Sequence, residues 1–289
     1  MAEKTRADLV EEVARRFGHY KSGTATGGST TTVIDTGILY APDDYWVGHY
    51  VYILEDAGGA GAAPEGEERP VTDYDQSTAT LTVDPAFSAA VGAGDTYEVL
   101  AVRRGDVTAA INGAIRAAGE TWLKHVVDTT TLTIADDDYD YDLPAAVVRL
   151  LMVSVRGDTD EAWVEVPGRL WSVGGTPGAL VLYFDALTGL GDGDAIRLDY
   201  VARPSELTTD AGTLGVGEPA ERELVDFIVC YALFVLHDQA ASAAPEGAGF
   251  RPHLTQAQYW REEAERVRAR ASQVGRGTAR TMRWGRSRG

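Results

Sequence analysis

The densest run of reactive side chains is Asp136-Asp137-Asp138-Tyr139-Asp140-Tyr141-Asp142, five carboxylates in seven positions. Alternating acidic oxygens can hold a hard cation such as calcium. The run lacks the central Gly and closing Glu of an ion loop, so a solvated acidic loop is the competing reading. The histidines His19, His49, His125, His237 and His253 are scattered, with none four residues from another and none beside a Cys, as zinc motifs require. Cys230 sits alone in an apolar stretch and reads as a small core hydrophobe. No Gly-x-Ser-x-Gly elbow occurs, and the stretches Gly58-Gly59-Ala60-Gly61 and Gly174-Gly175-Thr176-Pro177-Gly178 lack the Gly-Lys-Ser/Thr of a phosphate loop. With 44 acidic residues, carboxylate pairs occur anywhere and carry no signal for glycoside hydrolysis. The inventory predicts no enzyme, no cofactor and no metal.

Recognition chemistry is better represented. The C-terminal stretch 276–289 places Arg276, Arg280, Arg283, Arg286 and Arg288 around Met282 and Trp284, without an acid. Arg and Trp are favoured interface anchors, so these seven residues are the candidate partner-binding segment. The bland alternative is a solvated end, and nucleic-acid binding by the tail is a third reading. The formal net charge is −18. Residues 261–289 hold nine Arg against three Glu, a local +6, which leaves −24 on residues 1–260. So acidic a body repels phosphate, which argues against wrapping nucleic acid. The N-terminus is charged from its first residues and lacks an apolar signal core, so secretion is not expected.

These residues must be positioned by helices and strands. From Leu224 to Leu236 almost every residue of PAERELVDFIVCYALFVLHDQA (219–240) is apolar, which predicts a helix buried on all sides. Asp226, His237 and Asp238 cut its uninterrupted apolar run to ten residues, too short to cross a bilayer. Thr5 to Phe17 reads as an amphipathic helix with a capping box at Thr5 and Asp8. A second helix is predicted from Asp106 to His125. A last one runs from Leu254 to Val274, with a seam of Trp260, Ala264, Val267, Ala271 and Val274.

Strand-like alternation fills the rest. The predicted division is 1–20 N-terminal helix, 21–102 first β insertion, 103–128 second helix, 129–204 second β insertion, 205–275 C-terminal helices and 276–289 basic docking tail. The fold class is therefore α+β, a helical bundle core of about four helices with two inserted antiparallel β domains. A weak internal repeat runs through it. Each half has a helix, a threonine run (Thr30 to Thr32, Thr129 to Thr131) and a Gly-Asp before its last strand, Gly94-Asp95 and Gly193-Asp194. Such turns are common, so chance is a fair competing explanation.

The stretch from Thr30 to Leu100 resembles a β module of tailed-bacteriophage structural proteins. The stretch from Tyr141 to Leu236 is similar to phage head-to-tail adaptor (connector, head-completion) proteins. A Leu-Pro entry (Leu143-Pro144), a Trp-bearing strand (Trp163) and a Tyr-x-x-x-Pro-x-x-Leu exit (Tyr200, Pro204, Leu207) precede the apolar helix. The resemblance implies a homo-oligomeric ring, dodecameric in that family, docked under the portal in the virion neck. Its partners would be the portal protein and downstream tail or neck proteins, and DNA would pass through without sequence-specific binding. It would assemble in the host cytoplasm, without a membrane, and the C-terminal segment would dock onto the portal. A minor tail, head-fibre or decoration protein that binds through its β domains is the alternative.

Overall fold

The computed structural model describes residues 3–37, 39–59, 61–135, 138–157, 161–185, 191–244 and 250–281, with side chains through Ser272. Helix α1 (Arg6–Phe17) begins at the predicted capping box: the Asp8 backbone N–H donates to Thr5 Oγ1 at 3.2 Å, and Thr5 N donates to Asp8 Oδ2 at 2.9 Å. A cap of this kind stabilises a helix by about 1 kcal/mol. Leu9, Val10, Val13 and Ala14 form its buried face.

Seven strands follow, β1 (Tyr20–Thr24), β2 (Gly27–Gly28), β3 (Thr32–Ile34), β4 (Tyr50–Glu55), β5 (Glu68–Asp75), β6 (Thr80–Val83) and β7 (Thr96–Leu100). They form one antiparallel sheet in the order β1-β7-β4-β5-β6-β3-β2. Val33, Val51, Ile53, Val71, Leu81, Tyr97 and Val99 belong to its own core. Two buried hydroxyls are satisfied there, Tyr74 donating to Leu39 O at 2.9 Å and Tyr97 to Asp35 Oδ2 at 3.0 Å.

Helix α2 (Arg104–Ala118) is shorter than predicted. It stops at Gly119, whose φ of 59° suits a residue without Cβ, and Trp122 lies beyond the helix but in the same core. Then come β8 (Lys124–Thr133), β9 (Asp140–Asp142), β10 (Val147–Arg156), β11 (Val164–Glu165), β12 (Trp171–Thr176), β13 (Ala179–Phe184) and β14 (Ala195–Ala202). They make two antiparallel sheets, β11-β10-β14-β8 and β12-β13-β9. Val153, Val155, Ile196, Leu198 and Tyr200 from the first share a core with Tyr141, Leu182 and Phe184 from the second. The edge strand β8 is interrupted where Asp128 accepts hydrogen bonds from Thr130 N at 3.0 Å and Thr131 N at 3.1 Å. Its pairing to β14 shifts register at that point.

The faint sequence repeat has a geometric counterpart. Gly94 and Gly193 both adopt positive φ, 103° and 89°. Gly94 N donates to Ala25 O and Ala25 N to Asp95 O; Gly193 N donates to Ile134 O and Ile134 N to Asp194 O. Asp95 and Asp194 each accept from the backbone N–H three residues earlier, both at 2.8 Å. In both halves the turn launches a strand that pairs antiparallel with the strand after the helix, β7 on β1 and β14 on β8.

Helix α3 (Ala220–Ala243) packs against α1, α2 and α4 (Phe250–Thr281). It is long and apolar enough to cross a bilayer by length and composition. Here Leu224, Phe227, Ile228, Val229, Ala232, Leu233 and Leu236 are instead buried by protein. Ala264 and Val267 of the predicted α4 seam are buried in this core, with Trp260 and Ala271 packed against it.

This arrangement corrects the predicted architecture. The α+β class holds, but the chain is not a helical-bundle core with two inserted domains. Among the described residues, four helices accompany fourteen strands in three antiparallel sheets, a β-rich structure. The physical reason lies in where apolar surface is buried. The strands cover their own inner faces, so there are three hydrophobic cores, of which the helices supply one.

An ionic cluster joins the helices to the first sheet. Arg104, 5% exposed at the start of α2, pairs with Glu98 of β7 and, at 2.9 Å, with Asp210 of the 203–219 connector. Asp210 Oδ1 also accepts from Arg6 Nε at 2.8 Å and Nη2 at 2.7 Å. Tyr20 Oη donates to Glu98 Oε2 at 3.1 Å, and the Arg104 guanidinium lies 4.6 Å from the Tyr52 ring centroid. Burial pushes the Asp210 carboxyl up, but hydrogen bonds and charge from Arg6 and Arg104 outweigh it, and its pKa lies below the ordinary value.

Removing one partner of a buried pair strands the other charge, at a cost of about 3–5 kcal/mol. Arg104→Met is expected to lose that much in urea denaturation, and Arg104→Met with Glu98→Leu to recover a large part of it. Because the Asp210 pKa is depressed on folding, its contribution is complete above the unfolded value of about 3.9 and is lost as pH falls through the folded value. Acid unfolding should therefore steepen below about pH 4, and Asp210→Asn should flatten that limb.

Candidate docking surfaces

The lone cysteine and the acidic run lie in different parts of the fold. Cys230 lies on the buried face of α3, where burial, then the charge of Glu263, pushes its thiol up to about 11. A thiol so protonated is a poor nucleophile. Asp140 and Asp142 flank buried Tyr141 on β9, whose hydroxyl donates to Asp138 O at 2.9 Å, while Asp136 and Asp137 lie outside the described residues. Among the described residues no three His, Cys, Asp or Glu side chains gather as a metal-binding group.

Arg276 and Arg280 of the predicted docking segment fall on the last turns of α4, and their side chains are outside the description. Met282, Arg283, Trp284, Arg286 and Arg288 lie outside the described residues altogether. Their backbone attachment point is thus the end of α4. Farther back along α4, Arg270 lines a small cavity with Val267 and the α3 acids Glu223 and Asp226.

Acidic and basic side chains meet at the start of α3. A cavity of about 320 Å³ is lined there by Glu12, Glu218, Glu221 and Asp226, with Lys4 and Arg222. Glu221 is 5% exposed and accepts from Lys4 N at 2.9 Å. A second cleft, about 450 Å³, lies where Ala145 and Ala146 and the β12–β13 turn meet the connector, and includes Val147, Leu180 and the ion-paired Arg203 and Glu120. On the first sheet, the loop between β3 and β4 exposes Tyr40, Tyr45 and Val47.

The motif positions read from the sequence have structural duties. Leu143 donates its N–H to Leu180 O at 2.8 Å and is buried between the two sheets of the second β unit. Tyr200 is buried on β14. Leu207 enters the helical core, held by Asn112, whose Oδ1 accepts from Leu207 N at 2.9 Å. Trp163 stacks under the Arg156 guanidinium at 4.5 Å.

Two features escaped the sequence. His237 and His253 are sixteen residues apart, yet α3 and α4 bring their Nδ1 atoms to 3.1 Å. Burial, then the neighbouring His253, lowers the His237 pKa to about 4. Phe17 stacks on His237 with centroids 4.5 Å apart. The Arg104 cluster was also unseen, although an Arg in the first turn of a helix opposes the dipole and so signals nearby carboxylates.

Cys230 offers a direct check on this packing. Thiol labelling of the native chain with an aromatic disulfide is expected to be negligible over hours and complete in denaturant; fast native labelling would mean that α3 is not buried as described. A family profile described as SU10 adaptor protein matches residues 88–285, from just before β7 through α4. A search of curated proteins finds no match.

Proposed function

Because the chain belongs to the SU10 adaptor protein family and is thus a phage structural adaptor, we propose that it forms a ring beneath the portal, in the virion neck, and extends the DNA channel toward the tail. The observation that carries this reading is the family match, which takes in both sheets of the second β unit and helices α2, α3 and α4. The charge of −24 on residues 1–260 would let DNA slide past without adhering.

In this reading the segment 276–289 docks on an acidic, partly apolar groove of the portal. Trp284 fills a pocket, Met282 packs beside it, and Arg276, Arg280, Arg283, Arg286 and Arg288 pair with carboxylates at the rim. Buried aromatic anchors dominate affinity, while rim charges act on association rate and salt sensitivity. The exposed Tyr40, Tyr45 and Val47 favour a second reading, in which the first sheet binds a tail or decoration partner. A monomer or trimer in solution that ignores portal would support that second role.

Deletion of 276–289 and, separately, Trp284→Ala are to be compared with wild type for binding to purified portal and for ring formation by electron microscopy. Trp284→Ala is expected to weaken portal binding by about 2 kcal/mol or more. Undiminished portal binding by the truncated protein would remove the docking role. Loss of DNA affinity alone would assign the tail to nucleic acid.

A further inference from the structure

The strongest unassigned chemistry lies where α3 ends and α4 begins. His237 is 5% exposed, His253 is half-buried, and their rings sit 5.3 Å apart at 35°. A simple account is a hydrogen bond, in which one Nδ1–H donates to the other Nδ1. We propose that these two Nδ1 atoms are a binding site for a divalent transition-metal ion of the Zn²⁺ class, with water completing its shell.

Distance is the first argument. Zinc–imidazole bonds run about 2.0–2.1 Å, so two such bonds whose nitrogen ends are 3.1 Å apart meet at about 98°. That angle lies between octahedral and tetrahedral; with the centroids 5.3 Å apart the two nitrogens face one another almost head-on, so both rings tilt for their lone pairs to converge on the ion. Pre-organisation is the second. His237 is fixed by burial and by the Phe17 ring at 4.5 Å, which also stacks near His253 at 6.2 Å. The two helices that carry the pair are packed together. Little side-chain freedom remains to be lost on binding.

Donor type sets the class of ion. Neutral imidazole nitrogens suit Zn²⁺, Ni²⁺, Co²⁺ and Cu²⁺, whereas Ca²⁺ and Mg²⁺ require oxygen. No third His, Cys, Asp or Glu completes a metal-binding group here among the described residues, so the ion keeps water ligands and binds less tightly than at a four-ligand structural site. No covalent chemistry is implied. An ion held this way would tie α4 to α3 and both to Phe17 at the end of α1.

The test uses the full chain, titrated with ZnCl₂ by calorimetry and with CoCl₂ by visible absorption, alongside thermal melts. Wild type is expected to take one ion per chain, melt at a higher temperature with Zn²⁺, and show a Co²⁺ ligand-field band. His253→Ala should weaken Zn²⁺ binding by about tenfold or more and abolish the band. His253→Gln, which keeps a polar side chain of similar reach, should do the same while circular dichroism reports an unchanged fold. His125→Ala, on exposed β8, should bind as wild type does. Equal binding by wild type and both His253 variants would assign the ion to surface carboxylates and overturn the proposal. Absence of binding at millimolar Zn²⁺ would leave the pair as a hydrogen bond only.

Discussion

The buried guanidinium of Arg104 is the interaction on which the joining of helices to sheet depends. A cation at the first turn of a helix is unfavourable by itself, and its burial is costlier still. It is tolerable only because Glu98 arrives from β7 and Asp210 from the connector, with Tyr52 beneath the guanidinium plane. Arg6 then neutralises Asp210 from α1. Residues of α1, the consecutive β7 and α2, and the connector therefore meet at one charge-balanced point. Apolar contact alone would let α1 and α2 slide over the sheet; directional hydrogen bonds fix where they stop.

Much of the local structure was legible. The capping box at Thr5, the apolar run of α3 and the Ala264–Val267 seam are short-range patterns, and they fold as read. The Gly-Asp repeat was visible too, because a backbone turn that needs positive φ marks itself with Gly at Gly94 and Gly193. The hierarchy of the fold was less legible. A helix that is apolar all round announces burial but says nothing of whether its core is the main one. The strand segments read as two β domains, but not as units that would outweigh the helices, nor did the second β stretch show that it would divide into two sheets.

The functional residues divide along the same line. Leu143, Tyr200 and Leu207 were found by order along the chain, and each proves to be a packing residue of a core. His237 and His253 could not be paired from spacing, since only the antiparallel return of α4 onto α3 brings them together. Arg104 with Asp210 is a similar case at a separation no periodicity spans. Side chains that act through tertiary geometry leave only indirect marks in sequence, such as a cation where a helix prefers an anion.

The interruption of β8 bears on how many copies of this chain can be crowded together. An edge strand ten residues long, rich in Val and Thr, offers its unpaired amides and carbonyls to any identical neighbour. The Asp128 carboxylate turns the Thr129 to Thr131 backbone inward on itself and breaks the ladder into two short pieces. Such a bulge bends the strand and makes the edge a poorer template for an added strand. A single carboxylate, by bending its own backbone, thereby works against unintended edge-to-edge pairing.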